Sequence, residues 1–82
     1  MPTILRVDGY RVVIYLNDHQ PEHVHVIGNG HEAVFGLNCP IGPVWLRENY
    51  GFSLHEVRLF QKRLAEHLAK LCRAWEEIHG YS

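Results

Sequence analysis

Residues 54–79 run without a single glycine or proline, and apolar side chains recur through them at spacings of three and four. Leu54, Val57, Phe60, Leu64, Leu68, Leu71, Trp75 and Ile78 fall on one stripe of an α-helix. Ser53 and Glu56 stand at the two positions of a capping box, and Phe52 and Val57 at those of a hydrophobic staple. Gly80 offers a residue free to turn left-handed beyond the last turn. The pattern predicts a helical tail over residues 53–79.

The length of that tail is a constraint in itself. Residues 54–79 as one straight helix span about 39 Å at 1.5 Å per residue, whereas a domain of 82 residues is about 25–30 Å across. The helix either bends near residues 65–67 or projects. Read as heptads, Leu54, Gln61, Leu68 and Trp75 occupy one seam position, and Val57, Leu64, Leu71 and Ile78 the other. Projection leaves Leu71, Trp75 and Ile78 uncovered, at roughly 1.5–3 kcal/mol for each large side chain. A two-fold pairing of tails covers them. A homodimer through the helical tail is the expectation, and a bend that folds the tail onto its own sheet is the alternative.

Strand signals fill the first half. Residues 5–7 and 10–16 flank Asp8-Gly9, and residues 24–27 and 32–35 flank Asn29-Gly30. Both dipeptides suit tight type I′ hairpins. A tight second turn sets Val26 opposite Ala33 and Val24 opposite Phe35. Val24, Val26, Ala33, Phe35 and Leu37 then share one face. His23 and His25 point to the other face with Ile27, Glu32 and Val34, while His31 joins the Val24 face at the turn end. Residues 44–47 add strand after the Pro- and Gly-rich link 38–43. Strands gathered in one half and helix in the other define an α+β fold. An antiparallel sheet of about four strands within residues 1–50 is packed by a long C-terminal helix, or by two consecutive helices, in a single domain over residues 1–82.

Composition limits the functions open to the chain. A formal net charge of −1 gives no general attraction to nucleic acid, so RNA binding is not supported by charge. On the helix, Arg58, Lys62, Arg63, Lys70 and Arg73 are matched by Glu56, Glu66, Glu76 and Glu77. The pairs Lys62–Glu66 and Arg73–Glu77 at i,i+4 read as a solvated, ion-paired surface. No signal peptide is visible and no apolar run is long enough to span a bilayer, so no membrane partner is expected. Cys39 and Cys72 lie far apart with no thiol near either, which predicts two reduced thiols in a cytoplasmic protein.

Chemistry concentrates in one segment. Four of the seven histidines, His19, His23, His25 and His31, lie within thirteen residues, beside Asp18. Imidazole titrates near neutrality and is the commonest metal ligand. His23 and His25, two apart on a strand, can set two imidazoles on one ion. Asp18 or His19 completes three protein ligands and leaves an open position, as in catalytic zinc sites. Zinc, copper, nickel and iron all suit such donors, and zinc or a similar divalent transition metal is the candidate cofactor. A metal-free alternative uses His19, His23 and His25 as acid and base on a phosphodiester, with Arg11 or Arg47 holding phosphate. The plain alternative is structural: Asp18 or Asn17 caps the turn after the long strand, and the histidines lie on a half-exposed sheet face beside Tyr15 and Val34. His55, His67 and His79 read as solvent-facing helix residues.

From end to end the chain resembles the small bacterial family of domains of unknown function numbered 4160. Met1, Pro2, Thr3, Asp18, His19, Pro21, His23, His25, Val26 and Trp75 carry the likeness, around an Asp-His-x-Pro-x-His-x-His-Val motif. The usual motif has Pro where this chain has Glu22 and an aromatic where it has Val24. The resemblance implies a bacterial protein whose relatives are sometimes encoded beside another small domain, much as toxin–antitoxin pairs are. The function expected is a binding or regulatory module with a small protein partner. The alternative is a small histidine-based hydrolase, ribonuclease-like or metal-dependent, centred on His19, His23 and His25. Whether the chain is an enzyme is left open.

Overall fold

A type I′ turn needs positive φ at both central residues. In the computed structural model, which describes residues 3–80, Asp8 and Gly9 have φ of 50° and 87°, and Asn29 and Gly30 have 51° and 75°. Met1 and Pro2, two of the residues that carry the resemblance, lie outside the described residues. The first turn joins β1 (Thr3–Val7) to β2 (Tyr10–Val13), and the second joins β3 (His23–Gly28) to β4 (His31–Gly36). With β5 (Trp45–Tyr50) they form one antiparallel sheet in the order β1-β2-β3-β4-β5. The sheet has five strands, in keeping with the expected antiparallel sheet of about four, and the strand after the Pro- and Gly-rich link runs on to Tyr50 as it pairs with β4.

Strand β2 is shorter than its apolar run. The Tyr15 backbone N–H donates to the Asp18 carboxylate at 2.9 Å, and the Asp18 N–H donates to the Tyr15 carbonyl at 3.1 Å. That local turn takes the chain out of the sheet, as an Asx side chain bonded to nearby backbone does.

The register of the central hairpin is the one the tight turn dictates. Val26 pairs with Ala33 and Val24 with Phe35. Val24, Val26, Ala33, Phe35 and Leu37 are all fully buried, and they meet Phe60, Leu64 and Leu71 from the helices in one core. Tyr10, Phe52 and Phe60 interlock edge to face, with ring centroids 4.9–5.3 Å apart.

The tail is two helices, α1 (Leu54–Glu66) and α2 (Leu68–His79). The capping box holds α1: the Glu56 N–H donates to Ser53 Oγ at 3.1 Å and the Ser53 N–H to Glu56 Oε1 at 2.9 Å. At His67, with φ −117° and ψ 20°, the backbone N–H bonds the Leu64 carbonyl, three residues back, and the α-helical ladder is broken. The molecule is 33 Å in its longest dimension, too short for a straight tail. The bend corrects the projecting helix. Leu71 and Trp75, which were to be covered by a second copy, are 0% and 2% exposed within this chain, and Ile78 packs partly buried against the same core. The physical reason given for a homodimer through the tail is thereby removed.

The expectation of two reduced thiols is overturned. Cys39, in the link after β4, and Cys72, on α2, form a disulfide with a Cα–Cα distance of 5.8 Å. The break at His67 brings them together across 33 residues of sequence. Disulfides belong to oxidising compartments, so the cytoplasmic expectation loses the argument that carried it. No helix among the described residues is long and apolar enough to cross a membrane.

Two stability outcomes follow. Phe60→Ala removes a fully buried ring at the centre of the aromatic cluster and should cost about 3–5 kcal/mol, read by urea unfolding. Opening the crosslink with Cys72→Ser should cost roughly 3–4 kcal/mol, from the loop it closes. Equal midpoints for the wild type and either variant would contradict this packing.

Candidate metal centre

Alternation along β3 places His23 and His25 on the sheet face away from Phe35 and Phe60. They are nevertheless 6% and 9% exposed, the only buried polar residues among those described. Polar groups at that depth need partners, and each imidazole has one at both nitrogens.

His23 Nδ1 lies 2.8 Å from the Pro21 carbonyl oxygen, which can only accept, so Nδ1 carries the proton that is donated there. Its Nε2 faces Asp18 Oδ1 at 3.4 Å. His25 Nδ1 donates to Glu32 Oε2 at 2.8 Å, and its Nε2 lies 3.2 and 3.1 Å from the two oxygens of Asp18. Two imidazoles thus turn the same nitrogen toward one carboxylate, while their other nitrogens are held by fixed acceptors. An ionised carboxylate donates nothing, so each Nε2 facing it requires a proton or a metal cation in between.

Asp18 is placed by the turn after β2. Burial pushes its carboxyl pKa up, but the Tyr15 backbone N–H, the charge and hydrogen bond of His25 and the charge of His23 together hold it below the usual value. The Tyr15 ring stands edge-on to His25, with centroids 4.5 Å apart. Burial raises the Tyr15 phenol pKa, the charges of Glu32 and Asp18 raise it further, and Arg11 opposes them.

One ligand atom each from Asp18, His23 and His25 lies within 4.8 Å of the others. His19, the fourth residue named from sequence, is exposed and stands outside this group. His31 lies at the far end of the hairpin with its ring against Phe52. Of the two arginines considered as phosphate holders, Arg11 donates its Nε to Thr3 Oγ1 at 3.3 Å and Arg47 is exposed on the edge strand β5. No pocket opens beside the cluster among the described residues.

Two contributors escaped the sequence reading. Alternation alone puts Glu32 on the histidine face and says nothing of a bond there. The cross-strand register His25↔Val34 and Ile27↔Glu32 sets it diagonally beside His25, within reach of Nδ1. Trp75 comes from the far end of the chain: its ring lies 5.2 Å from that of His23 and 4.2 Å from that of His79. Nothing local to β3 announces it. Gly36, opposite His23 in the register, leaves room for the Trp45 indole, which fills the space that a Cβ there would occupy.

Asp18 makes a prediction about acid. A carboxyl with its pKa lowered in the folded state stabilises the fold above its ordinary range, and that contribution disappears as pH falls through and below about 4. Asp18→Asn should therefore cost about 1–3 kcal/mol at neutral pH, the range for a hydrogen-bonded charged acceptor. Its loss of stability between pH 6 and pH 3 should be shallower than that of the wild type in urea melts. Parallel curves would show that Asp18 is not the partner described.

Neither a curated protein nor a solved structure matches the chain. A family model does match, over residues 9–76, a span that contains Asp18, His23, His25, Glu32, Trp75 and both cysteines. The chain belongs to the family described as Domain of unknown function (DUF4160).

Proposed function

We propose that this protein is a binding module for one divalent transition-metal ion, held by Asp18 and by Nε2 of His23 and of His25. The observation that carries the reading is the shared orientation of the two imidazoles. Both Nε2 atoms converge on Asp18 at 3.1–3.4 Å, while both Nδ1 atoms are committed to acceptors, Pro21 O and Glu32. Ligands about 2.1 Å from a tetrahedral zinc stand about 3.4 Å apart; the three donor atoms lie within 4.8 Å of one another, so an ion is seated by drawing them together. An outer carboxylate or carbonyl on the second ring nitrogen is the usual support of a metal-binding histidine, fixing its tautomer and orientation.

Two imidazoles and a carboxylate suit zinc and its neighbours rather than magnesium or calcium. Three protein ligands leave a fourth position for water or for a donor atom of another molecule. A water held there becomes more acidic, which is the basis of metal-dependent hydrolysis. The hydrolase reading is therefore an extension of the same site, and the module reading is its minimum. His19 is omitted from the ligand set.

Zinc titration of the metal-stripped protein by calorimetry tests the proposal. One ion per chain is expected, with protons released on binding and weaker binding in acid, because Nε2 must be free of its proton. Asp18→Ala and His25→Ala should abolish binding and His19→Ala should leave it unchanged. Glu32→Gln should weaken it by roughly 10–100-fold, as loss of an outer-shell partner does. Absence of binding to the folded wild type sinks the proposal. Hydrolysis of a phosphodiester by the zinc form, lost in His23→Ala, would extend it to an enzyme.

A further inference from the structure

The Cys39–Cys72 disulfide joins two segments that both reach His23. On the helix side, Trp75 follows Cys72 by three residues and so shares its face of α2, and its ring covers that of His23. On the loop side, the Cys39 N–H donates to Glu22 Oε1 at 3.3 Å, and the Leu37 N–H donates to the Glu22 carbonyl at 3.2 Å. Glu22 directly precedes His23. The crosslink thus fixes the position of Trp75 relative to the strand end that carries the imidazole.

At its start α2 is held by the packing of Leu68 and Leu71 on the core and by this disulfide, without a polar cap. The capping box that secures α1 has no counterpart: His67 makes no side-chain cap bond, and the first turn of α2 has no acidic residue. Cys39 is half-buried and so the more open end of the bond, while Cys72 is 6% exposed.

We infer that the Cys39–Cys72 disulfide is a redox-controlled latch on the Asp18–His23–His25 site, holding Trp75 against His23 when closed and releasing it when reduced. Its regulatory consequence rests on the metal reading above. The closed latch fixes the His23 ring with its Nε2 toward Asp18 and so favours binding of the ion. Opening is a thiol–disulfide exchange with a dithiol reductant. One reductant thiolate attacks Cys39 Sγ, the S–S bond breaks, and the electron pair leaves on Cys72 Sγ, which takes a proton. The second reductant thiol then displaces Cys39. The reductant departs as its own disulfide, and two electrons and two protons end on the cysteines. With the latch open, α2 keeps only its apolar packing at that end, and Trp75 gains the freedom to move off the His23 ring.

The test needs a readout on His23 and another on the metal. The first is the rate of modification by diethyl pyrocarbonate, resolved by peptide mass spectrometry with exposed His19 as the internal reference. The proteins are the oxidised wild type, the pair Cys39→Ser/Cys72→Ser, which opens the link without adding thiolate ligands, and Trp75→Leu with the disulfide intact. In both variants His23 should react several-fold faster relative to His19, and zinc affinity should fall by roughly tenfold, the effect of loosening a ligand's support. Unchanged His23 reactivity in the folded variants overturns the latch. If zinc binds to no form, the metal reading fails by itself, and the His23 rates still decide the latch. Should the serine pair not fold, amide hydrogen exchange of the wild type with and without dithiothreitol replaces it. Faster exchange confined to residues 68–79 supports the latch; unchanged exchange, or loss of protection throughout the chain, overturns it.

Discussion

The register of β3 against β4 decides which side chains build the core and which build the candidate site. Asn29 and Gly30 adopt the two left-handed conformations that a two-residue turn requires, and that turn leaves the hairpin one register. Side chains alternate along a strand, so a slip of one residue would exchange the faces of β3 entirely. Val24 and Val26 would leave the core, and two imidazoles would face Phe60 and Leu64. In the register observed, the apolar residues close one core with both helices. The histidines emerge on the opposite side, beside Glu32 on the neighbouring strand. Core and candidate site are two faces of the same pairing.

The site itself is assembled from short-range pieces. Asp18 ends the turn that takes the chain out of β2, Pro21 supplies a carbonyl, and the hairpin brings Glu32 to His25. Each element orients the next. The turn fixes the carboxylate, the two outer acceptors fix the ring nitrogens, and both Nε2 atoms then have one place to point. Only the cover over His23 comes from far away in sequence, through Trp75 and the disulfide that fastens its helix. That division separates a locally built ligand set from a distant element able to adjust it.

Most of the fold was legible because its signals are local. Both hairpin turns, the face assignments of β3 and β4, and the capping box with Phe52 and Val57 all rest on residues a few positions apart. The clash between a long helix and a small domain was also legible, but its resolution was not. His67 has no proline or glycine to mark a break, and the choice between bending and pairing depends on tertiary cover for Leu71 and Trp75. The disulfide was missed for the same reason, since only the break brings Cys72 to Cys39. For the site, the motif pointed to Asp18, His23 and His25, and spacing alone could not separate His19 from them. One residue beyond Asp18 the chain is already exposed, which turns His19 outward. Glu32 was on the right face, yet its bond to Nδ1 depends on a diagonal contact that pairing alone does not reveal.

Zinc K-edge X-ray absorption on the zinc-loaded oxidised protein reads the ligand set itself. An ion held by Asp18, His23 and His25 gives a first shell of nitrogen and oxygen alone, at about 2.0–2.2 Å, with outer-shell scattering from two imidazoles. A sulfur shell at about 2.3 Å, or scattering from a single imidazole, would contradict it.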